Sequence, residues 1–98
     1  MAEHDDQRRA HWTIRVTGFV QGVNYRAEAR RAAYRLGISG SATNVPDGSV
    51  RIEAERPVAA LRQFRDWCAA GPPSAEVERV DVTEGDLRGY PPGEFARR

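Results

Sequence analysis

"NVPDGSVRIEAE", residues 44–55, carries the two signals that settle how the rest of this chain is arranged. Pro46, Asp47 and Gly48 place a fixed φ, a self-bonding side chain and tolerance of positive φ in succession, the chemistry of a tight turn. Directly after it, Val50-Arg51-Ile52-Glu53-Ala54-Glu55 alternates apolar and charged residues with the period of a half-buried strand. A turn in front of such a run makes a hairpin, so Ile38 to Val45 must be the partner strand. On its own that segment reads weakly, because Gly40, Ser41 and Ala42 have low β-propensity.

On the upstream side, Tyr25, Ala29, Ala32, Ala33 and Leu36 form an apolar stripe at helical spacing, with Glu28, Arg30, Arg31 and Arg35 on the wet side. Gly37 stops that helix. Before it, His11 to Thr17 alternates as a strand, with Trp12, Ile14 and Val16 on one face. On the downstream side, Pro57 opens a second helix, whose face is Ala60, Leu61, Phe64, Trp67 and Cys68 and whose end is Gly71-Pro72-Pro73. Val77, Val80 and Val82 mark a fourth strand, with a phase slip at Glu78-Arg79 that reads as a bulge. Beyond Glu84 only Phe95 suggests structure, as a short C-terminal edge strand. The order is β-α-β-β-α-β, and right-handed crossovers place both helices on one face of a mainly antiparallel sheet. This is the ferredoxin-like α+β sandwich, an architecture that fixes no function by itself.

Ninety-eight residues make one domain, large enough to bury roughly 60–68% of its unfolded surface without disulfides or metal. Residues 1–10 are polar and aperiodic and read as a disordered tail; residues 11–98 form the domain. Fifteen basic and fourteen acidic residues leave a formal charge of +1, which gives no electrostatic case for nucleic acid or a membrane surface as partner. Every basic residue is Arg, so a P-loop, Schiff-base or kinase-type lysine is excluded. The single Cys68 cannot close an intramolecular disulfide and reads as a buried thiol on a helix face. His4 and His11 read as tail and strand-edge residues rather than metal ligands, and Glu53 as part of the wet strand face. With no secretory signal and no apolar run near ~20 residues, the chain is expected to be cytoplasmic.

The topology points to a site. The first two strands run the same way and finish at one edge of the sheet, so Arg26 and Asn44 should lie close together. The segment that leads from the first strand to Arg26 is "GFVQGVNYR", residues 18–26. Its glycines let backbone N–H groups converge into an anion-holding concavity, and the first turn of the following helix adds unpaired N–H groups and the positive end of its dipole. Arg26 supplies a planar fork that can grip two phosphate oxygens. Residues 20–26 therefore read as an oxyanion site. "TGFVQ" shares a few letters with an RNA-recognition consensus but lacks its basic residue and second aromatic.

"GFVQGVNYR" also resembles the acylphosphatase signature, and "GSATNVPDGSVRIEAE" (40–55) and "GPPSAEVERVDV" (71–82) are similar to two further blocks of that family, in order and spacing. The resemblance implies hydrolysis of acyl phosphates to carboxylate and phosphate. It implies that Arg26 and the amides of Gln21, Gly22, Val23, Asn24, Tyr25 and Arg26 hold the phosphate, while Asn44 orients the attacking water. It also implies no metal and no covalent intermediate; a monomer without a cofactor is expected. Asn24 departs from the family, which most often has a small residue there, commonly glycine; its amide either adds a donor or narrows the loop. Ser41 and Ala42 replace bulkier residues usual in the second strand.

Overall fold

A computed structural model describes residues 7–98. Its elements follow the expected order: β1 (Arg9–Phe19), α1 (Tyr25–Leu36), β2 (Ser39–Asn44), β3 (Val50–Pro57), α2 (Val58–Ala70), β4 (Glu76–Gly85) and β5 (Phe95–Arg97). The strands form one sheet in the order β4-β1-β3-β2-β5. All neighbours are antiparallel except β2 and β5, which run parallel.

β1 starts two residues earlier than the alternation suggested. Arg9 and Ala10, assigned to the tail, pair with Pro57 and Arg56, and the Val58 N–H donates to the Arg8 carbonyl. Charged side chains hid this extension, because the pairing uses backbone and the buried surface is only Ala10. Residues 1–6 of the expected tail lie outside the described residues. At the phase slip in β4, Thr17 faces Arg79 and Gly18 faces Val77, so Glu78 is the extra residue of a bulge.

Both helices pack on one face of the sheet. Trp12, Ile14 and Val16 stand opposite Ala54, Ile52 and Val50, and all six are buried. Above them lie Leu61, Phe64 and Cys68 of α2 and Tyr25, Ala29, Ala32 and Ala33 of α1. Three alanines in α1 leave little volume to fill, and the Tyr25 ring supplies it, its hydroxyl donating to the Cys68 carbonyl at 2.7 Å. Burial pushes the Cys68 thiol up to about 12, so it is a structural thiol and not a nucleophile. Phe95 anchors the short β5 by meeting Phe64 edge-on, with centroids 6.0 Å apart.

At Gly40 the β3 backbone comes too close to β2 for any side chain. A Cβ at Gly40, whose φ is 151°, would lie 1.7 Å from the Glu53 carbonyl oxygen. On the opposite face the chain between β4 and β5 forms a strap. Its Arg88, Gly89 and Tyr90 N–H groups all donate to the Glu55 carboxylate, and Pro91 accepts from the Ser39 hydroxyl at 2.8 Å. This corrects two expectations. His11 is not a strand-edge residue: β1 is flanked on both sides, and the imidazole is 1% exposed under the Tyr90 ring. Its Nδ1 lies 2.8 Å from Glu55 Oε2 and its Nε2 2.5 Å from Glu53 Oε1. Glu53 is likewise mostly covered, its side chain 13% exposed, rather than on a wet face.

Candidate active site

The sheet register brings the two halves of the site together. Val16 of β1 and Asn44 of β2 both pair with Val50 of β3, from opposite sides. β1 and β2 are therefore parallel across β3 and end level with one another. Directly paired residues share a face, so Asn44 lies on the helix-bearing face with Val50, beside the loop that leaves β1.

That loop has an unusual backbone. Gly22 (φ 75°) and Asn24 (φ 63°) are left-handed, with Val23 between them. Alternation of this kind turns successive N–H groups toward one side, the arrangement of an anion-binding nest. Asn24 is the only described residue other than glycine with positive φ. Its conformation explains its departure from the family: the position needs left-handed backbone, which Asn tolerates next best after Gly. Asn24 is also the N-cap of α1 and makes no side-chain capping bond, so no side chain covers the first-turn N–H groups.

The remaining loop residues hold the nest in place. Gln21 Nε2 donates to the carbonyls of Val45 (2.7 Å) and Ser49 (2.8 Å), tying the loop to the β2–β3 turn. The Ser74 hydroxyl donates to the Val23 carbonyl at 2.9 Å. Tyr25 points into the core, so only its backbone faces the loop. The turn is itself braced by Asp47, which accepts from the Ser49 N–H and hydroxyl and pairs with Arg15 at 2.8 Å. These bonds, from Ser49 first and then Arg15, hold the Asp47 carboxyl well below the usual carboxylate range.

Between the loop and the end of β2 is a cavity of about 220 Å³, bordered by Gly22, Asn24, Tyr25, Arg26 and Asn44. Five of the seven residues expected at the site therefore meet here. Gln21 and Val23 do not border it; their side chains or carbonyls are spent on neighbouring segments. Arg26 is half-buried, and its Nη1 donates to the Arg98 carbonyl oxygen at 2.7 Å. The Asn44 carboxamide is exposed and makes no bond to another described residue. One further bordering residue, Arg97, was missed by the sequence reading. Its only signal was Phe95 two places earlier, since the β2–β5 pairing that sets Arg97 opposite Ala42 has no local pattern. The described residues contain no group of three or more His, Cys, Asp or Glu suited to a metal ion. His11, the one described histidine, is on the opposite face of the sheet.

A family model described as Acylphosphatase matches residues 12–96. The chain belongs to the acylphosphatase family. It is 41% identical to the acylphosphatase of Syntrophobacter fumaroxidans over 92 residues, 94% of this chain and 89% of that one. It is 47% identical to that of Synechococcus sp. (strain RCC307) over 70 residues, 71% of this chain and 60% of that one. Its fold is similar to the crystal structure of acylphosphatase from Bacillus subtilis, with a TM-score of 0.86 and 33% identity over 91% of this chain and 98% of that one. The family match spans both the loop and Asn44.

Proposed function

We propose that this acylphosphatase-family chain hydrolyses acyl phosphates to a carboxylate and inorganic phosphate, with Arg26 and the loop amides on the phosphate and Asn44 on the attacking water. The observation that carries this reading is the placement of Arg26 and the uncommitted Asn44 carboxamide across one cavity from a nest of N–H groups. The phosphoryl group would replace the Arg98 carbonyl oxygen on the Arg26 guanidinium, accepting N–H bonds from the loop and the first turn of α1. Negative charge on the equatorial oxygens is then met by donors that need no reorganisation. The Asn44 carboxamide has one acceptor and two donors; accepting from the water and donating to a phosphate oxygen would align the nucleophile opposite the leaving carboxylate. The water oxygen bonds to phosphorus, the bond between phosphorus and the acyl oxygen breaks, and the carboxylate leaves with the electron pair. With so good a leaving group no general acid is required, and the water's proton passes to a phosphate oxygen.

A monomer acting in the cytoplasm, without nucleic acid or membrane, is part of the same proposal. No helix among the described residues is long and apolar enough to cross a membrane. The test is hydrolysis of benzoyl phosphate in oxygen-18 water with a chelator present. The label is expected in the phosphate; label in the benzoate, or no turnover, would contradict the reading.

A further inference from the structure

The phosphate cavity does not end at Asn24. Asn24, Ala27 and Arg97 also border a second, larger cavity of about 560 Å³ that continues along the outer side of α1 past Arg30, Arg31 and Tyr34. Arg26, Arg30 and Tyr34 stand at i, i+4 and i+8, so they form one stripe leading away from the nest. One helical step of four residues advances about 6 Å. The groove therefore begins where a phosphoryl group would sit and runs in the direction open to an acyl substituent.

Charge along this groove is unbalanced. Arg31 is taken up by Glu28, the one carboxylate bordering the groove, at 3.5 Å. Arg30 and Arg97 have no carboxylate partner among the described residues. Arg30 is instead oriented: its Nε donates to the Tyr34 hydroxyl at 3.0 Å and its guanidinium carbon lies 5.3 Å from the ring centroid. That contact uses the inner nitrogen and leaves both Nη groups of the fork available. Arg97 reaches the groove from β5 and borders both cavities at their junction. The i,i+4 contact with Tyr34 fixes which way the Arg30 fork faces along the groove.

We propose that the groove is an acyl subsite for substrates carrying a second anionic group, a carboxylate or phosphate, held by Arg30 roughly one helical turn from the scissile phosphate, with Arg97 adding positive charge at the junction of the two cavities. This deepens the hydrolase reading and rests on it. The preferred acyl phosphates are anionic at both ends, with about 6 Å of acyl framework between. Both arginines are exposed, so the gain is modest and falls with salt.

The experiment compares kcat/KM for 4-carboxybenzoyl phosphate and 4-phosphonobenzoyl phosphate with that for benzoyl and 4-carbamoylbenzoyl phosphate, which lack the second charge. Each rate is divided by the spontaneous hydrolysis rate of the same compound. At low salt the wild-type chain should favour at least one anionic substrate by about three- to tenfold, chiefly through KM, and the two anionic arms show which group fits. Arg30→Gln, Arg97→Gln and the double variant should bring that ratio down toward one, as should raising the salt to about 0.5 M. Because the readout is a ratio within one preparation, a partly unfolded variant cannot imitate the result. A wild-type ratio of one or less for both anionic compounds, or a ratio that survives the double variant, overturns the subsite. Failure to hydrolyse any of the four compounds would overturn the hydrolase reading instead.

Discussion

Asn24 shows how one dihedral angle links sequence to chemistry. Its φ of 63° sets the direction of the N–H groups that follow, and the side chain itself forms no capping bond. The residue is therefore there for its backbone. Asn24→Gly should keep activity within about twofold and stability within ~1 kcal/mol, since glycine accepts the same conformation freely. Asn24→Val should cost about 1–2 kcal/mol and lower turnover more than tenfold, because a β-branched residue resists φ > 0 and would turn the nest. Thermal melts with benzoyl phosphate turnover check both; equal behaviour of the two variants would mean that the amide, not the backbone, matters. The resemblance to the acylphosphatase signature identified this position as a departure but not its cause. Gln21 is the complementary case: the resemblance implied a role for its backbone amide, and its side-chain amide ties the loop to the turn at Val45 and Ser49.

Elements differed in how far their own residues announced them. α1 was readable to its ends, because a clean apolar stripe lies between Asn24 and Gly37, both left-handed. β2 was readable only through the turn after it, since its residues have low strand propensity and Gly40 answers to the close approach of β3. Gly40→Ala should therefore destabilise by at least ~2 kcal/mol despite its higher strand and helix propensity, read as a lower denaturation midpoint. The strap was not readable at all. Its contacts are backbone N–H groups converging on one carboxylate from another strand, and no periodicity records that. Burial works to raise the Glu55 carboxyl, but the Arg88 N–H, the His11 ring and the Tyr90 N–H outweigh it and leave the carboxyl below its usual value. A folded pKa below the unfolded ~4.3 gives stability that is present above that value and lost as pH falls through the folded one. The melting midpoint should thus drop between about pH 5 and 3, and Glu55→Gln should flatten that limb. Glu55→Ala at neutral pH should cost about 2–3 kcal/mol by leaving the strap N–H groups and the buried His11 Nδ1 without their acceptor. A midpoint unchanged by Glu55→Ala would show that the strap does not stabilise the sheet.

At the scale of the whole molecule, the proposed site and the buried histidine cluster are on opposite faces of the sheet. The helix-bearing face ends in the nest, Arg26 and Asn44; the strapped face holds His11 and its two carboxylates. Separation by a full sheet keeps the one described histidine out of the reaction. The pH–rate profile should accordingly be nearly flat from about pH 5 to 8, and a limb with a midpoint near the ~6.5 of histidine would argue against the proton pathway. The convergence of Arg26 and Asn44 followed from strand direction alone, because both strands pair with β3. What strand direction could not supply was β5, which brings Arg97 to the same edge from the far end of the chain.

The most direct test of the site is the steady-state hydrolysis of benzoyl phosphate with a chelator present by wild type, Arg26→Gln and Asn44→Ala, each shown to be folded by its melting curve. Wild type should turn over. Arg26→Gln should raise KM and lower kcat, and Asn44→Ala should lower kcat by roughly 10²–10³ with KM little changed, as expected for loss of a group that acts on the water alone. Three folded proteins with equal kcat and KM would contradict the assignment of the site.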